Sequence, residues 1–344
     1  MDFPQLSVLL NAEYPAAELI RLGVLAEELG YRSLMYVDVR FHRECYIGLT
    51  SVAMHTKRIR LATGVTDPYS RHPAITAASM ATLDELSDGR AVLGLGLGGA
   101  GFKELGIQKM LPVAALRESV GVIRRLWRGE EVTLDGKVIS LSKGRLQFTP
   151  VRDTIPIYIA TQGEQISRLS GELADGVLIA NTASEEGLEF YVRQIAIGAA
   201  KAGRPTSDID INLRWEICIS DDEIAALRVM RRRLAQRMIA SYPHWAFLKQ
   251  LGVSVSSEFE AIAARNDPAL ADAATEALPM EVVNASVLAG SPDRVATRIA
   301  PLLRSEISGV TIRPHACPGT GVEEVMRLFI QDVVPLVAKR RSVA

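Results

Sequence analysis

The chain has 344 residues, 48% of them hydrophobic, which suffices for a large core and for either two domains or one α/β barrel of roughly 250 residues with insertions. Lysine plus arginine total 39 against 40 aspartates and glutamates, and basic runs do not exceed three residues, as in Arg231-Arg232-Arg233, so the charge gives no footprint for nucleic acid. Cys45, Cys218 and Cys317 show no C-x-x-C spacing, the N-terminus MDFPQLSVLLNAEYP lacks the features of a secretory signal, and no stretch approaches the ~20 apolar residues of a membrane span; the expectation is a soluble, cytoplasmic protein with no disulfide framework, no nucleic-acid partner and no membrane partner.

Short runs rich in Val, Ile and Leu predict strands at Leu6–Leu10, Ser33–Val37, Ile59–Val65, Ala91–Gly98, Ile155–Ala160, Gly176–Asn181, Ile209–Ile219 and Gly309–Arg313. Amphipathic patterns between them predict helices at about Ala16–Leu29, Glu44–His55, Ala74–Leu86, Ala114–Trp127, Glu164–Ala174, Glu185–Ala202, Asp222–Ala240 and Pro292–Arg304, with a last one at Gly321–Val337. Strand alternating with helix implies a parallel sheet, and near-continuous apolar strands favour a closed (β/α)8 TIM barrel over an open sheet. The first βα turn, Asn11-Ala12-Glu13-Tyr14-Pro15, has no glycine and so argues against a dinucleotide fold. Two stretches depart from the alternation. Around 131–149, VTLDGKVIS and RLQFT flank Asp135-Gly136, a hairpin signal; around 242–280 the chain is alanine-rich and helical in pattern, an insertion after the seventh strand. The whole of 1–344 reads as a single barrel domain with these two insertions.

A barrel of this kind builds its site from residues just beyond the C-terminal strand ends. These include Asn11 and Glu13; Asp38, Arg40 and His42; Gly64, Thr66, Asp67, Arg71 and His72; Gly98, Gly99 and Lys103; Thr161, Gln162 and Gly163; Asn181; Trp215 and Glu216; Arg313 and His315. In GLGLGGAG (Gly94–Gly101) the missing Cβ atoms either admit a planar ring or phosphate close to the backbone, or mark a barrel bend or tight packing. Thr161-Gln162-Gly163 opens a helix whose free N–H groups suit an anion. Asp38 follows its strand directly and is placed to handle a proton or accept a hydrogen bond. Asp88-Gly89 reads as turn chemistry. His72 precedes Pro73 and is either the cap of the next helix or a substrate contact. Trp215 is either a packing residue or a ligand contact. No metal-ligand spacing and no G-x-S-x-G nucleophile elbow occurs.

Taken together, TGVTDPYSRHPAITAASMATLDELSDGRAVLGLGLG, IPIYIATQGEQISRLSGELADGVLIAN and VLAGSPDRVATRI resemble the bacterial-luciferase-like flavin and deazaflavin oxidoreductases, in particular the methylenetetrahydromethanopterin reductase-like subgroup. The resemblance implies a non-prolyl cis peptide at Gly64-Val65 behind the cofactor ring, approach of Gly98 and Gly99 to the ring or ribityl chain, and a phosphate held by Thr161, Gln162 and Gly163. It places Thr66 beside the same cofactor, Asp38 as acid/base or orienter, and Arg71, His72 and Trp215 as substrate contacts, with no metal. Many relatives carry Asp-His after strand 2, whereas here Asp38 is followed by Val39, so reactions that use that histidine do not carry over. The loop after Gly99, AGFKELGI, is shorter than the reductase pattern, so the pterin substrate does not carry over with the family either.

The leading expectation is an oxidoreductase transferring hydride between coenzyme F420, or a related flavin, and a small organic molecule. The rivals are an FMN-dependent monooxygenase supplied with reduced flavin by a partner reductase and using oxygen, and a flavin- or deazaflavin-binding protein without turnover. The family's habit of dimerising implies a homodimer or higher homo-oligomer.

Overall fold

The computed structural model describes residues 3–343. Their strands are β1 (Gln5–Leu10), β2 (Ser33–Tyr36), β3 (Arg60–Thr63), β4 (Ala91–Leu95), β5 (Val132–Asp135), β6 (Ser140–Gly144), β7 (Ile157–Thr161), β8 (Gly176–Ala180), β9 (Asp210–Ile219), β10 (Leu288–Gly290) and β11 (Gly309–Pro314). The α-helices are α1 (Ala16–Glu28), α2 (Cys45–Ala53), α3 (Pro73–Leu86), α4 (Pro112–Trp127), α5 (Glu164–Leu173), α6 (Glu185–Lys201), α7 (Glu223–Ala240), α8 (Ala246–Gln250), α9 (Ser257–Ala264), α10 (Ala271–Ala277), α11 (Met280–Ser286), α12 (Pro292–Ile299), α13 (Val322–Leu328) and α14 (Val334–Val343). The succession is that of a (β/α)8 barrel, interrupted by the antiparallel β5–β6 hairpin after α4 and by α8–α11, which follow β9 and α7. No helix among the described residues is long and apolar enough to cross a membrane.

The contacts fall into two compact units. The first, residues 5–178 and 194–212, carries the sheet order β1-β2-β3-β4-β7-β8. Its register runs Leu9↔Met35, Met35↔Ala62, Leu61↔Ala91 and Gly94↔Tyr158, all parallel. Every residue of β4 is buried, as a parallel strand covered on both faces requires. Charged side chains tie the connections by bonding backbone. Glu27 accepts from the amides of Lys57, Arg58 and Ile59, and Glu118 does the same for Lys137, Val138 and Ile139 at the hairpin tip. Arg90 donates to the carbonyls of Ala53, Thr56, Ile59 and Ser87. Asp88 and Gly89 both adopt positive φ just before it, the turn that Ser-Asp-Gly-Arg predicts.

The second unit comprises residues up to 4, residues 179–193 and those from 213 onward, with strand order β10-β9-β11. Helices α7 to α11 enclose an apolar cluster around Trp245, Phe259, Met230 and Met238. Trp245 stands edge-on to Tyr242, with centroids 5.3 Å apart, and its indole N–H donates to the Met238 carbonyl at 2.9 Å, so the large ring is buried without an unmet donor.

Three differences from the sequence-based boundaries have local causes. Strand β3 stops at Thr63, and the chain regains the ladder only at Thr66, whose N–H donates to Gly94 O at 2.9 Å and which bridges to Leu95. The Gly64-Val65 peptide between them is cis, as is Tyr242-Pro243. Strand β4 stops at Leu95 because Gly98 takes φ +69° and turns the chain out of extended geometry. Strand β10 has three residues, too few to show a period.

Packing dictates two of the glycines in the run. A Cβ on Gly94 would lie 2.0 Å from the Thr63 carbonyl oxygen, and one on Gly96 would lie 2.6 Å from Val65 Cγ2. The tight-packing reading therefore holds for both. Gly94→Ala is expected to lower the unfolding free energy by about 1–3 kcal/mol or more through overpacking, read as a fall in the urea midpoint at unchanged slope; an unchanged midpoint would contradict the packing reading.

Candidate active site

In the first unit the strand-end residues gather around one buried carboxylate. Asp67 is fully buried. Its Oδ1 accepts the amides of Tyr69 and Ser70, both at 2.8 Å, while its Oδ2 accepts the Ser70 hydroxyl at 2.7 Å and Arg40 Nη1 at 2.6 Å. An aspartate two residues before an amide closes such a turn by itself, and this one also binds a guanidinium from the loop after β2. Arg40 continues to the loop after β4. Its Nε donates to Ala100 O at 2.9 Å, and its guanidinium lies 4.2 Å from the centroid of Phe102, a ring that Lys109 also approaches and Tyr69 meets edge-on. Arg40 Nη2 is buried and has no hydrogen-bond partner among the described residues. Buried donors are rarely left so.

The glycines of this loop differ in what they face. A Cβ on Gly98 would lie 2.6 Å from the Phe102 ring, and one on Gly101 would lie 2.6 Å from Arg40 Cβ. Gly99 has open space on its Cβ side, the nearest atom being Arg40 Nη2 at 3.9 Å. Open backbone and an unmet donor thus stand side by side.

Asp38 lies beyond β2 and accepts the Thr66 hydroxyl at 2.7 Å. Burial holds its carboxyl above the usual aspartate range, against the hydrogen bond from Thr66 and the attraction of Arg71; the repulsion of Asp67 adds to the rise. The group therefore keeps its proton to higher pH than a solvated aspartate does. Cys45 is fully buried, its thiol donating to Tyr36 O at 3.2 Å, and burial pushes that thiol far up, which removes it as a nucleophile.

The structure places the candidate substrate contacts in fixed roles. Arg71 pairs with Glu44 at 2.5 Å and lies 4.3 Å from the Tyr46 ring centroid, while Glu44 caps α2 by accepting the Ile47 amide. His72 caps α3: its Nδ1 accepts the Ala74 amide at 3.1 Å, which leaves Nε2 as the protonated nitrogen facing Ser140 O at 3.0 Å. Both ring nitrogens are occupied, as the capping reading of His72-Pro73 predicts. Trp215, in the second unit, is fully enclosed and its indole N–H donates to Thr182 O at 2.6 Å; the packing reading accounts for it.

At the end of β7, Thr161 is buried and its hydroxyl lies 2.5 Å from that of Ser167, which in turn donates to Gly163 O. Gln162 is exposed, and Gly163 takes φ +89° as the N-cap of α5 with no side chain capping the helix. Glu164, in the first turn, pairs with Arg168 at 2.6 Å. The first-turn amides of α5 are left for an acceptor from outside.

A second cluster, in the second unit, was not singled out as a whole from the sequence. Glu216 is buried, with Oε2 2.7 Å from His315 Nε2 and Oε1 3.1, 3.3 and 3.5 Å from guanidinium nitrogens of Arg313, Arg237 and Arg214. Burial alone would raise its pKa, but Arg313, the His315 hydrogen bond, Arg237 and Arg214 together hold it well below the carboxylate range. Glu216 and Arg214 lie within β9, Arg313 and His315 at the end of β11, and Arg237 on α7; the contacts of Arg237 and His315 with Glu216 span 21 and 99 residues, and no local spacing signals them.

The chain belongs to the luciferase-like monooxygenase family, whose profile matches residues 2–307. It is 33% identical over 324 residues to a 5,10-methylenetetrahydromethanopterin reductase from Methanolobus tindarius, covering 93% of this chain and 96% of that one. It is 30% identical to an F420-dependent glucose-6-phosphate dehydrogenase from Rhodococcus hoagii, with 94% of each covered. Among solved structures it superposes on the coenzyme F420 dependent tetrahydromethanopterin reductase from Methanopyrus kandleri with a TM-score of 0.85 at 28% identity, covering 97% of this chain and 99% of that one.

Asp67→Ala would leave the Arg40 guanidinium buried without its carboxylate. The expected loss of stability is about 3–5 kcal/mol, read by thermal or urea unfolding, and a loss below 1 kcal/mol would show that the pair does not organise these loops.

Proposed function

We propose that the protein is an oxidoreductase that binds coenzyme F420 and moves a hydride between it and a small organic substrate. The observation that carries this reading is the buried, unpartnered Nη2 of Arg40 set beside the open backbone of Gly99. The uncapped start of α5 at Gly163 suits the same ligand, and the F420-dependent relatives supply its chemical class. When bound, the deazaflavin supplies a ring that accepts or gives up a hydride.

This chain's residues then bind and orient. Thr161, Gln162 and Gly163 present the first-turn amides of α5 to a phosphate, where the helix dipole favours a negative charge. Gly64, Val65, Thr66, Gly98 and Gly99 would hold the ring system along their backbone, Gly99 being the glycine among them whose Cβ side is open. Arg40 donates Nη2 to an oxygen of the bound molecules. Asp38, held by Thr66, exchanges a proton with the substrate. Arg71 and His72 set the rim through their bonds to Glu44 and Ser140. A homo-oligomer, a cytoplasmic location and a single catalytic domain spanning the chain belong to the same proposal, as does a partner flavin reductase if the cofactor is FMN.

Fluorescence titration of the purified protein with F420 and with FMN, each oxidised and reduced, tests the reading. F420 is expected to bind at least tenfold more tightly than FMN. The reverse order favours the monooxygenase reading, and binding without hydride transfer or oxygen uptake across a substrate panel favours a binding protein. Arg40→Leu is expected to weaken F420 binding or substrate KM by about 10–100-fold, the worth of a hydrogen bond from a charged donor.

The acid limb of the pH profile provides a further check. For substrate oxidation Asp38 must be ionised to take the proton, so kcat/KM is expected to fall as pH drops through its raised pKa, at a pH above that of a solvated aspartate near 3.8. Asp38→Asn should lower kcat and flatten that limb. A limb that persists in the variant would assign the proton to another group.

A further inference from the structure

The cations around Glu216 exceed what that carboxylate neutralises. Three guanidinium groups, those of Arg214, Arg237 and Arg313, stand within 3.5 Å of it. Arg214 and Arg237 also share the Asn181 side-chain oxygen, at 2.9 Å each, so an uncharged acceptor helps to hold them. Arg233 adds a fourth guanidinium that makes no ion pair or hydrogen bond among the described residues. His315 adds no further positive charge near neutral pH; burial first, then the repulsion of Arg233 and Arg313, keep its pKa below the ordinary histidine value against the pull of Glu216.

Three of these arginines, Arg233, Arg237 and Arg313, line a cavity of about 250 Å³ together with Glu216 and Gln236, with Met230 among the apolar lining. One carboxylate cannot neutralise four guanidinium groups, and the Arg237 and Arg313 side chains, 34% and 25% exposed, keep part of that charge accessible. Here the imbalance faces a space that admits a ligand group.

We infer that this cavity of the second unit binds a phosphoryl group, carried on a small organic molecule or free as inorganic phosphate. Guanidinium forks match the oxygens of such a group in pairs, and its double charge answers the excess that a single carboxylate would meet only in part. Arg233 and Arg237, one helical turn apart on α7, reach it from one wall and Arg313, near the end of β11, from another. Glu216 and His315 act as positioning residues that hold Arg313 and Arg237 at the rim. The assignment concerns residues outside the proposed F420 site and needs neither cofactor nor turnover.

Calorimetric titration of the full chain at constant ionic strength tests it, with inorganic phosphate, glycerol 3-phosphate, malonate and acetate as probes. Constant ionic strength separates site binding from screening. The two phosphates are expected to bind and acetate to bind at least tenfold more weakly. Tighter binding of glycerol 3-phosphate than of inorganic phosphate assigns the site to a carried phosphoryl group, and the opposite order assigns it to the free ion; either supports the inference. Arg233→Gln removes no hydrogen bond among the described residues and is expected to weaken phosphate binding by about tenfold or more while leaving F420 affinity unchanged, so failure here is distinguishable from failure of the F420 reading. No heat with either phosphate, equal affinity in Arg233→Gln, or tighter binding of malonate would overturn it.

Discussion

The buried carboxylate of Asp67 organises the strand ends of the first unit. Four donors meet its two oxygens, two from its own turn, one from Ser70 and one from Arg40. Parallel strands buried on both faces are mostly apolar along their length, and in the first unit Asp38, Arg40 and Asp67 all lie beyond the ends of β2 and β3. A carboxylate there folds its own turn and still has acceptor capacity for a cation. Through Arg40 that cation reaches Ala100 O and the Phe102 ring, and the loops after β2, β3 and β4 become one structure. Remove the carboxylate and the three loops lose their common anchor while a guanidinium stays enclosed.

The elements were legible because their signals are local. Apolar runs of strand length alternating with amphipathic helices define the barrel, and Asp135-Gly136 marks the hairpin that β5 and β6 form. Pro73 after His72 predicts a cap, and His72 supplies it. The contacts were not legible, because each joins residues distant in the chain. Arg40 and Asp67 are 27 residues apart, and either alone is an ordinary loop residue. The same limit applied to the glycines: GLGLGG shows that side chains are excluded but not by what. Thr63 O, Val65 and Phe102 exclude them at Gly94, Gly96 and Gly98, and Gly99 alone of these faces open space. The cysteines show it again. Cys218 and Cys317, 99 residues apart and without recognisable spacing, bring their sulfurs to 3.6 Å as free thiols.

The two charged clusters solve the burial of a carboxylate in opposite ways. Asp67 accepts mostly neutral donors and one guanidinium, and the remaining positive charge rests on a ring face, where cation–π attraction replaces part of the lost hydration. Glu216 is surrounded by three guanidinium groups and a histidine. The first arrangement is close to balanced and leaves one guanidinium nitrogen, Arg40 Nη2, unmet, which suits a hydrogen bond to a ligand oxygen. The second is unbalanced in charge, which suits an anion. Directional need and net charge select different ligand groups.

Val39 after Asp38 bears on mechanism through what the neighbouring residues can exchange. A histidine at that place can take and release protons near neutral pH, whereas valine cannot, and Arg40, one residue on, stays protonated throughout. On the proposed function, proton transfer and charge stabilisation would fall to separate side chains. Asp38, its carboxyl raised by burial and steadied by Thr66, can change protonation state. Arg40 can only donate hydrogen bonds and meet negative charge. This division fits a reaction in which a single proton accompanies hydride transfer and an oxygen carries the charge that develops, because each task then has one group able to perform it.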